Sequence, residues 1–224
     1  MKLNFPTRRT CGLTRFDVLA AVLLVIPLFV LVMAFPVYEA ARRRDANITC
    51  VENLRQIGLA SRIWEADNRS PINPRPVVLD ANFPTTGLNG GQIAWIHLIG
   101  ISNIVHSSKI LQCPRDTETP MTTNSTDLKI RISYFRNLDA NEGYPQQVMF
   151  GDDNLTIDGA RAKPGIFELA SKMSVSWAPG RHGLVNNVGL ADGSVEQQST
   201  IGLQNAVQYS FEGVPSLTNR LAIP

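Results

Sequence analysis

The chain of 224 residues predicts an α+β fold, in which one long N-terminal helix crosses a membrane and continues into a small globular domain built on an antiparallel sheet. Three observations carry this. Residues 18–37 hold no charge and follow a short basic leader. A stripe with helical spacing comes next, and the remainder shows alternating segments punctuated by Gly and Pro. The length suits one medium domain with an appendage rather than two full domains.

Composition narrows the classes of function. The chain is 44% hydrophobic and 18% charged, and its 14 prolines and 16 glycines point to a loop-rich body rather than a helical bundle. The formal charge is +2, but the first twelve residues carry Lys2, Arg8 and Arg9 and no acid, and without them it falls to −1. A nucleic-acid binder keeps a basic surface, so no nucleic-acid partner is expected. Three cysteines are too few for a disulfide framework and lack zinc-type spacing. Cys11 lies in the basic leader, which leaves Cys50 and Cys113 as a pair.

The apolar run comes first. About 20 residues at about 1.5 Å each make a helix of about 30 Å, the hydrocarbon thickness of a bilayer. Pro27 and Pro36 fall within it, and prolines are tolerated better in membrane helices than in soluble ones. A cleavable secretory signal ending near Val32-Met33-Ala34 is the competing reading, although the run is longer than the apolar core of such signals. The basic leader favours a cytoplasmic N-terminus, and Arg42-Arg43-Arg44 on the far side weakens that argument without reversing it.

The arm that follows keeps the helical period. Cys50, Leu54, Ile57, Ser61 and Trp64 form one stripe, while Arg43, Arg44, Glu52, Arg55, Arg62 and Glu65 fall mostly off it. The helix is expected to end near Asp67-Asn68, with Pro71 beyond as a stop. The stripe is most simply the face on which a sheet packs.

In the body, residues 69–92 read as an irregular loop from their Pro and Gly density. Residues 93–99 form a short apolar segment, expected as a helical turn or two against the core. Residues 110–116 end a short run in a turn. Residues 130–135 and 147–152 read as strands. In RHGLVNNVGLADGSVEQQS, two alternating runs flank Asp192-Gly193, a strong signal for a two-residue hairpin in which both turn residues take positive φ.

The N-terminal pattern Gly12-Leu13-Thr14-Arg15-Phe16-Asp17, set between a basic leader and the apolar run, resembles the prepilin-type cleavage and methylation signal. His182, nine intervening residues, then Asp192-Gly193 match the H-x9-DG element of a pilin-like family. The Cys113-Pro114-Arg115-Asp116 segment, Ser133-Tyr134 and Asp152 fit the same family, so the resemblance runs from Gly12 to about Gln198. On these grounds the chain resembles a type IV pilin-like, type II secretion pseudopilin-like protein. The resemblance implies a leader of residues 1–12, a membrane helix over 13–38, its amphipathic continuation over 39–68 and a periplasmic domain over 69–224, with the motif hairpin at 182–193. It implies cleavage between Gly12 and Leu13 by a prepilin peptidase that also methylates the new terminus. It implies that Asp17 pairs with the terminal amine of a neighbouring subunit, since a charge within a bilayer is retained where a partner neutralises it. Asp17 stands where the family has Glu, and Arg15 where it has an apolar residue. The expected role is structural, a subunit of a secretion or pilus-like filament whose partners are the peptidase, other pilin-like subunits and the membrane. A permanently anchored periplasmic module that binds an envelope ligand is the alternative.

Candidate sites follow. His182 has two readings: a metal ligand or general base oriented by Asp192, or a ring that pins its loop to the hairpin through a hydrogen bond. Asp192 and Gly193 are expected to hold the hairpin. Asp152 and Asp153, with Asn154 and Asp158, offer oxygens to calcium but lack EF-hand spacing, and a polar turn is the simpler reading. Cys50 and Cys113 are either a disulfide, as an oxidising compartment permits, or two buried thiols. No nucleophile motif or phosphate-binding glycine loop is present, so no enzymatic activity is expected.

Overall fold

The computed structural model describes residues 15–68, 108–117, 122–123, 129–130, 132–214 and 218–224. The segments read as a loop over 69–92 and as an apolar turn over 93–99 lie outside the described residues, as do Gly12 and Leu13. Helix α1 spans Arg15–Asn68, with Pro27 and Pro36 inside it and its last residue at the expected stop. The chain forms two compact units, Met1–Arg44 and Asp45–Pro224.

In the first unit the apolar side chains of α1 are exposed, Leu24, Leu31 and Val37 among them. This stretch is long and apolar enough to cross a membrane. Arg42, Arg43 and Arg44 are exposed as well.

In the second unit α1 turns one face inward. Cys50, Leu54, Ile57 and Ser61 are each no more than 1% exposed, and Ala60 lies beside them, while Glu52, Arg55 and Arg62 face outward. The part of the stripe from Cys50 to Ser61 is therefore a packing face. A short 3-10 turn, Ser108–Leu111, precedes the strands β1 (Thr122–Thr123), β2 (Lys129–Ile130), β3 (Tyr134–Asn137), β4 (Val148–Asp152), β5 (Leu155–Ile157), β6 (Ala160–Arg161), β7 (Gly165–Ala170), β8 (Val175–Trp177), β9 (Val185–Leu190) and β10 (Val195–Ser199). Helix α2 (Thr200–Tyr209) and strand β11 (Thr218–Ile223) complete the domain. Ser199 caps α2, its Oγ accepting from Gly202 N at 3.2 Å.

The main sheet has six antiparallel strands in the order β10-β9-β4-β3-β11-β7, and β6-β5-β8 form a smaller one. Alternation along each strand divides its side chains between two cores. Tyr134 and Ala222 join Cys50, Leu54 and Ile57 on the α1 side, whereas Phe135, Leu221 and Ile223 join Leu203 and Val207 of α2 on the other. Strand β4 departs from alternation, because a register shift against β9 between Val148 and Phe150 places Met149 and Phe150 in the same core.

Two sequence expectations are corrected. The strand read over 130–135 is broken: Ile130 belongs to β2, and the sheet strand begins at Tyr134. The backbone N–H of Ser133 bonds Leu111 O at 2.9 Å and its carbonyl receives Asp153 N, so Ser133 is held outside the ladder. The Asp192-Gly193 turn is a three-residue loop. Gly193 N bonds Leu190 O at 3.0 Å, Leu190 N bonds Ser194 O at 2.9 Å, and Gly193 alone has positive φ, at 88°. This is a type I turn closed by a left-handed glycine bulge, and Asp192 Oδ1 accepts Ser194 N at 2.8 Å to fix it. The two-residue turn with both φ positive occurs instead at Asp158-Gly159 (φ 48° and 78°), which joins β5 to β6. Finally, β11 inserts between β3 and β7, a pairing for which the sequence carries no local signal.

A buried junction at His182 as candidate functional site

Residues scattered over the sequence motifs meet beneath the sheet on the α1 side. Cys50 of α1 and Cys113 are joined as a disulfide with Cα atoms 5.1 Å apart, which settles the alternatives left open for them. The bond staples α1 to the segment after the 3-10 turn. Asn53, one turn further along α1, donates to Gln112 O at 2.9 Å and to the Tyr134 hydroxyl at 3.4 Å, so helix and loop are joined twice.

His182 sits against this staple with its side chain fully buried. Its Nδ1 is 2.9 Å from Asn47 Oδ1 on α1, and its Nε2 is 3.2 Å from Cys113 Sγ and 3.6 Å from Asp152 Oδ2. Asp152 closes strand β4, and its Oδ2 also accepts the backbone and side-chain N–H groups of Asn187 at 2.7 and 3.0 Å. His182 thus pins its loop to α1, with the carboxylate that ends β4 facing its other nitrogen. Asp192 lies elsewhere: its carbonyl accepts Arg62 Nη1 of α1 at 2.8 Å, and Gly193 packs beside the same arginine. The two ends of the H-x9-DG element therefore anchor to α1 at separate places, His182 at Asn47 and Asp192 at Arg62.

Arg181, the neighbour of His182, was not singled out from the sequence, yet it organises a second buried cluster. Its guanidinium pairs with Asp153, stands 3.0 Å from Asp116 Oδ1 and donates to Ser133 O at 2.7 Å. Ser133 Oγ donates to Asp116 Oδ2 at 2.6 Å. Burial works to lower the basicity of Arg181, but Asp153, Asp116 and Asp152 outweigh it and hold the group above its ordinary value. Burial also pushes the Asp153 carboxyl up to about 6, against the pull of Arg181. Burial first, and then the charge of Asp152, keep the Tyr134 phenol well above its usual range. Three carboxylates around one guanidinium leave a local excess of negative charge, and Asp153 relieves it by keeping its proton to higher pH.

Asp152 and Asp153 therefore face opposite partners, the first His182 and Asn187, the second Arg181. They do not converge on one point as the ligands of a calcium loop do. Asp158 is occupied in its turn, accepting Ser174 N at 2.8 Å. Asp17 lies within α1, and its side chain is outside the described residues. What the residue types alone missed are Asn47, Arg181 and Asn187. The one available signal was adjacency, since Arg181 precedes the motif histidine and Asp116 closes Cys-Pro-Arg-Asp. Comparison with protein-family models, with curated proteins and with solved structures yields no match.

Proposed function

We propose that the chain is a pilin-like structural subunit, a pseudopilin or accessory of a type II secretion or type IV pilus-like filament, rather than an enzyme. The observation that carries this reading is α1 itself. One helix presents exposed apolar side chains in its first half and buries one face under an antiparallel domain in its second. Such a helix serves both as a membrane anchor and, drawn out of the bilayer, as the apolar spine on which identical subunits pack. The prepilin-like signal around Gly12 and Leu13, and the acid at Asp17, support it from the sequence. In this reading the N-terminus is cytoplasmic, the helix crosses the inner membrane once and the sheet domain is periplasmic. The polar residues that a catalytic site would need are enclosed: the side chains of His182 and Asp152 have no exposed surface. Their arrangement holds the domain onto its helix.

The test is intact-mass spectrometry of the membrane-extracted protein with sequencing of its N-terminal peptide. The expected chain starts at Leu13 and carries one added methyl group on its terminal amine. A chain that retains Met1, or one that begins near Phe35, overturns the filament reading. The first result favours the permanently anchored binding module, the second a secreted one.

A further inference from the structure

The junction at His182 contains a mismatch that its disulfide leaves unresolved. The ligand atoms of Cys50, Cys113 and His182 all lie within 4.8 Å of one another, and all three residues are buried. Asn47 Oδ1 accepts only, so Nδ1 is the nitrogen that donates to it, and a neutral ring then carries its lone pair on Nε2. That lone pair faces Cys113 Sγ at 3.2 Å and Asp152 Oδ2 at 3.6 Å, neither of which is a donor. Asp152 is 0% exposed, and its Oδ1 has no hydrogen-bond partner among the described residues. With the disulfide closed, a proton on Nε2 is the one thing that joins ring and carboxylate. With the disulfide opened, two thiolates and an imidazole share one point, and the Asp152 carboxylate stands 3.6 Å from the imidazole Nε2.

We propose that the reduced chain binds a zinc-class divalent cation through Cys50, Cys113, His182 and Asp152, and that the disulfide and the metal are alternative closures of one junction. The donor set fits. Two sulfurs and an imidazole suit a borderline-soft cation, and a carboxylate oxygen completes four-coordination. Bond lengths of about 2.0–2.3 Å put the ligands of a tetrahedral zinc about 3.4–3.8 Å apart. The separations of Nε2 from Cys113 Sγ and from Asp152 Oδ2 already stand near those values. The two sulfurs have to move apart, and the Asp152 carboxylate, which lies outside the 4.8 Å group, has to swing toward them. Asn47 plays the part that an outer partner plays at a ligating histidine: it holds the far ring nitrogen and fixes which one faces the metal. The conversion balances. A dithiol donates two electrons and two protons to the Cys50–Cys113 bond and leaves as its own disulfide. The metal then displaces both thiol protons to solvent.

Cobalt(II) is the probe, because tetrahedral thiolate coordination gives it near-ultraviolet charge-transfer bands and intense visible bands. The full chain in detergent is reduced with a phosphine, which takes up oxygen from water as it opens the disulfide, and is then titrated with cobalt. The expected result is one cobalt per chain with thiolate bands, displaced by zinc and absent from the oxidised chain. His182→Ala should weaken binding by about tenfold or more, at least the loss seen when a metal site loses an orienting partner. If the reduced chain, folded or not, develops no thiolate bands, the proposal is overturned. Bands that persist with unchanged affinity in His182→Ala overturn it too, since loose thiols would then be the ligands.

Discussion

The two faces of the six-stranded sheet are covered in different ways. On one side α1 packs through Cys50, Leu54, Ile57 and Ala60, the interface includes a disulfide and a buried histidine, and a cluster of charges around Arg181 adjoins that histidine. On the other, Leu203 and Val207 of α2 and Leu155, Val175 and Trp177 of the small sheet pack mainly apolar surface against Phe135 and Val188, with few side-chain bonds, among them Val175 N to Gln204 Oε1 at 2.6 Å and Val148 N to Ser210 Oγ at 3.1 Å. The second face resembles an ordinary hydrophobic core, held by area removed from water. The first face adds directional bonds to a single helix, and the disulfide and the bonds at Asn47 and Arg62 fix position along that helix. Apolar contacts tolerate a slide of one turn, whereas the contacts of Cys113 to Cys50, of His182 and Arg115 to Asn47, and of Asp192 to Arg62 on α1 do not. If α1 carries load between membrane and domain, as the proposed function requires, such registry is what the joint has to supply.

Breaking the directional side should have the largest effect. The Cys50–Cys113 bond closes a loop with a sequence separation of 63. Replacing both cysteines, Cys50→Ala with Cys113→Ala, should lower stability by about 4 kcal/mol on the chain-entropy estimate for a loop of that size. Urea unfolding followed by circular dichroism checks this, and a loss under 1 kcal/mol would mean that the polar contacts alone hold α1. The dry side offers the comparison. Leu203 of α2 is 1% exposed and lies in the second core. Leu203→Ala should cost about 3 kcal/mol through lost transfer energy and the cavity left behind. It should leave the Cys50–Cys113 bond as resistant to phosphine as before, which separates the two faces energetically.

The same division decides what was legible in the sequence. The apolar run and the stripe through Cys50, Leu54 and Ile57 are local patterns with a helical period, and both correspond to observed faces of α1. Strand β4 was also visible, as a short apolar run ending in an acid. Strand β3 was misread because its four residues are all buried, with a core on either side, so hydrophobic alternation is no guide to its bounds. At Asp192-Gly193 the dipeptide announced a turn but not its type. Tertiary bonds from Ala191 N to Gln147 O and from Asp192 N to Pro145 O hold the longer loop, and these lie more than forty residues away. The candidate site was legible as separate residues, His182, Asp152 and the cysteine pair. Its assembly was not, because Asn47 acquires its role only when α1 is laid beside His182, and Arg181 only when Asp116, Ser133 and Asp153 are brought around it.

The last of these effects tests the charge cluster. Burial raises the Asp153 carboxyl from 3.8 to about 6. Between those two values the folded chain binds more protons at this site than the unfolded chain, so the contribution of Asp153 to stability falls as pH rises through the window and is level above it. A shift of this size corresponds to a loss on the order of 3 kcal/mol, at about 1.4 kcal/mol per pH unit. Asp153→Asn removes the titration while keeping an oxygen that can accept from Arg181. Its stability should be flat over this interval, apart from whatever slope other groups contribute, where the parent chain declines. Denaturation midpoints measured at intervals across the window, for both chains, decide the point. If the asparagine chain declines as steeply as its parent, Asp153 is not the group that keeps the proton, and the excess negative charge around Arg181 is relieved elsewhere. If the decline disappears, the directional side of the sheet carries a pH dependence that the apolar side, with no titrating group among its core residues, cannot share.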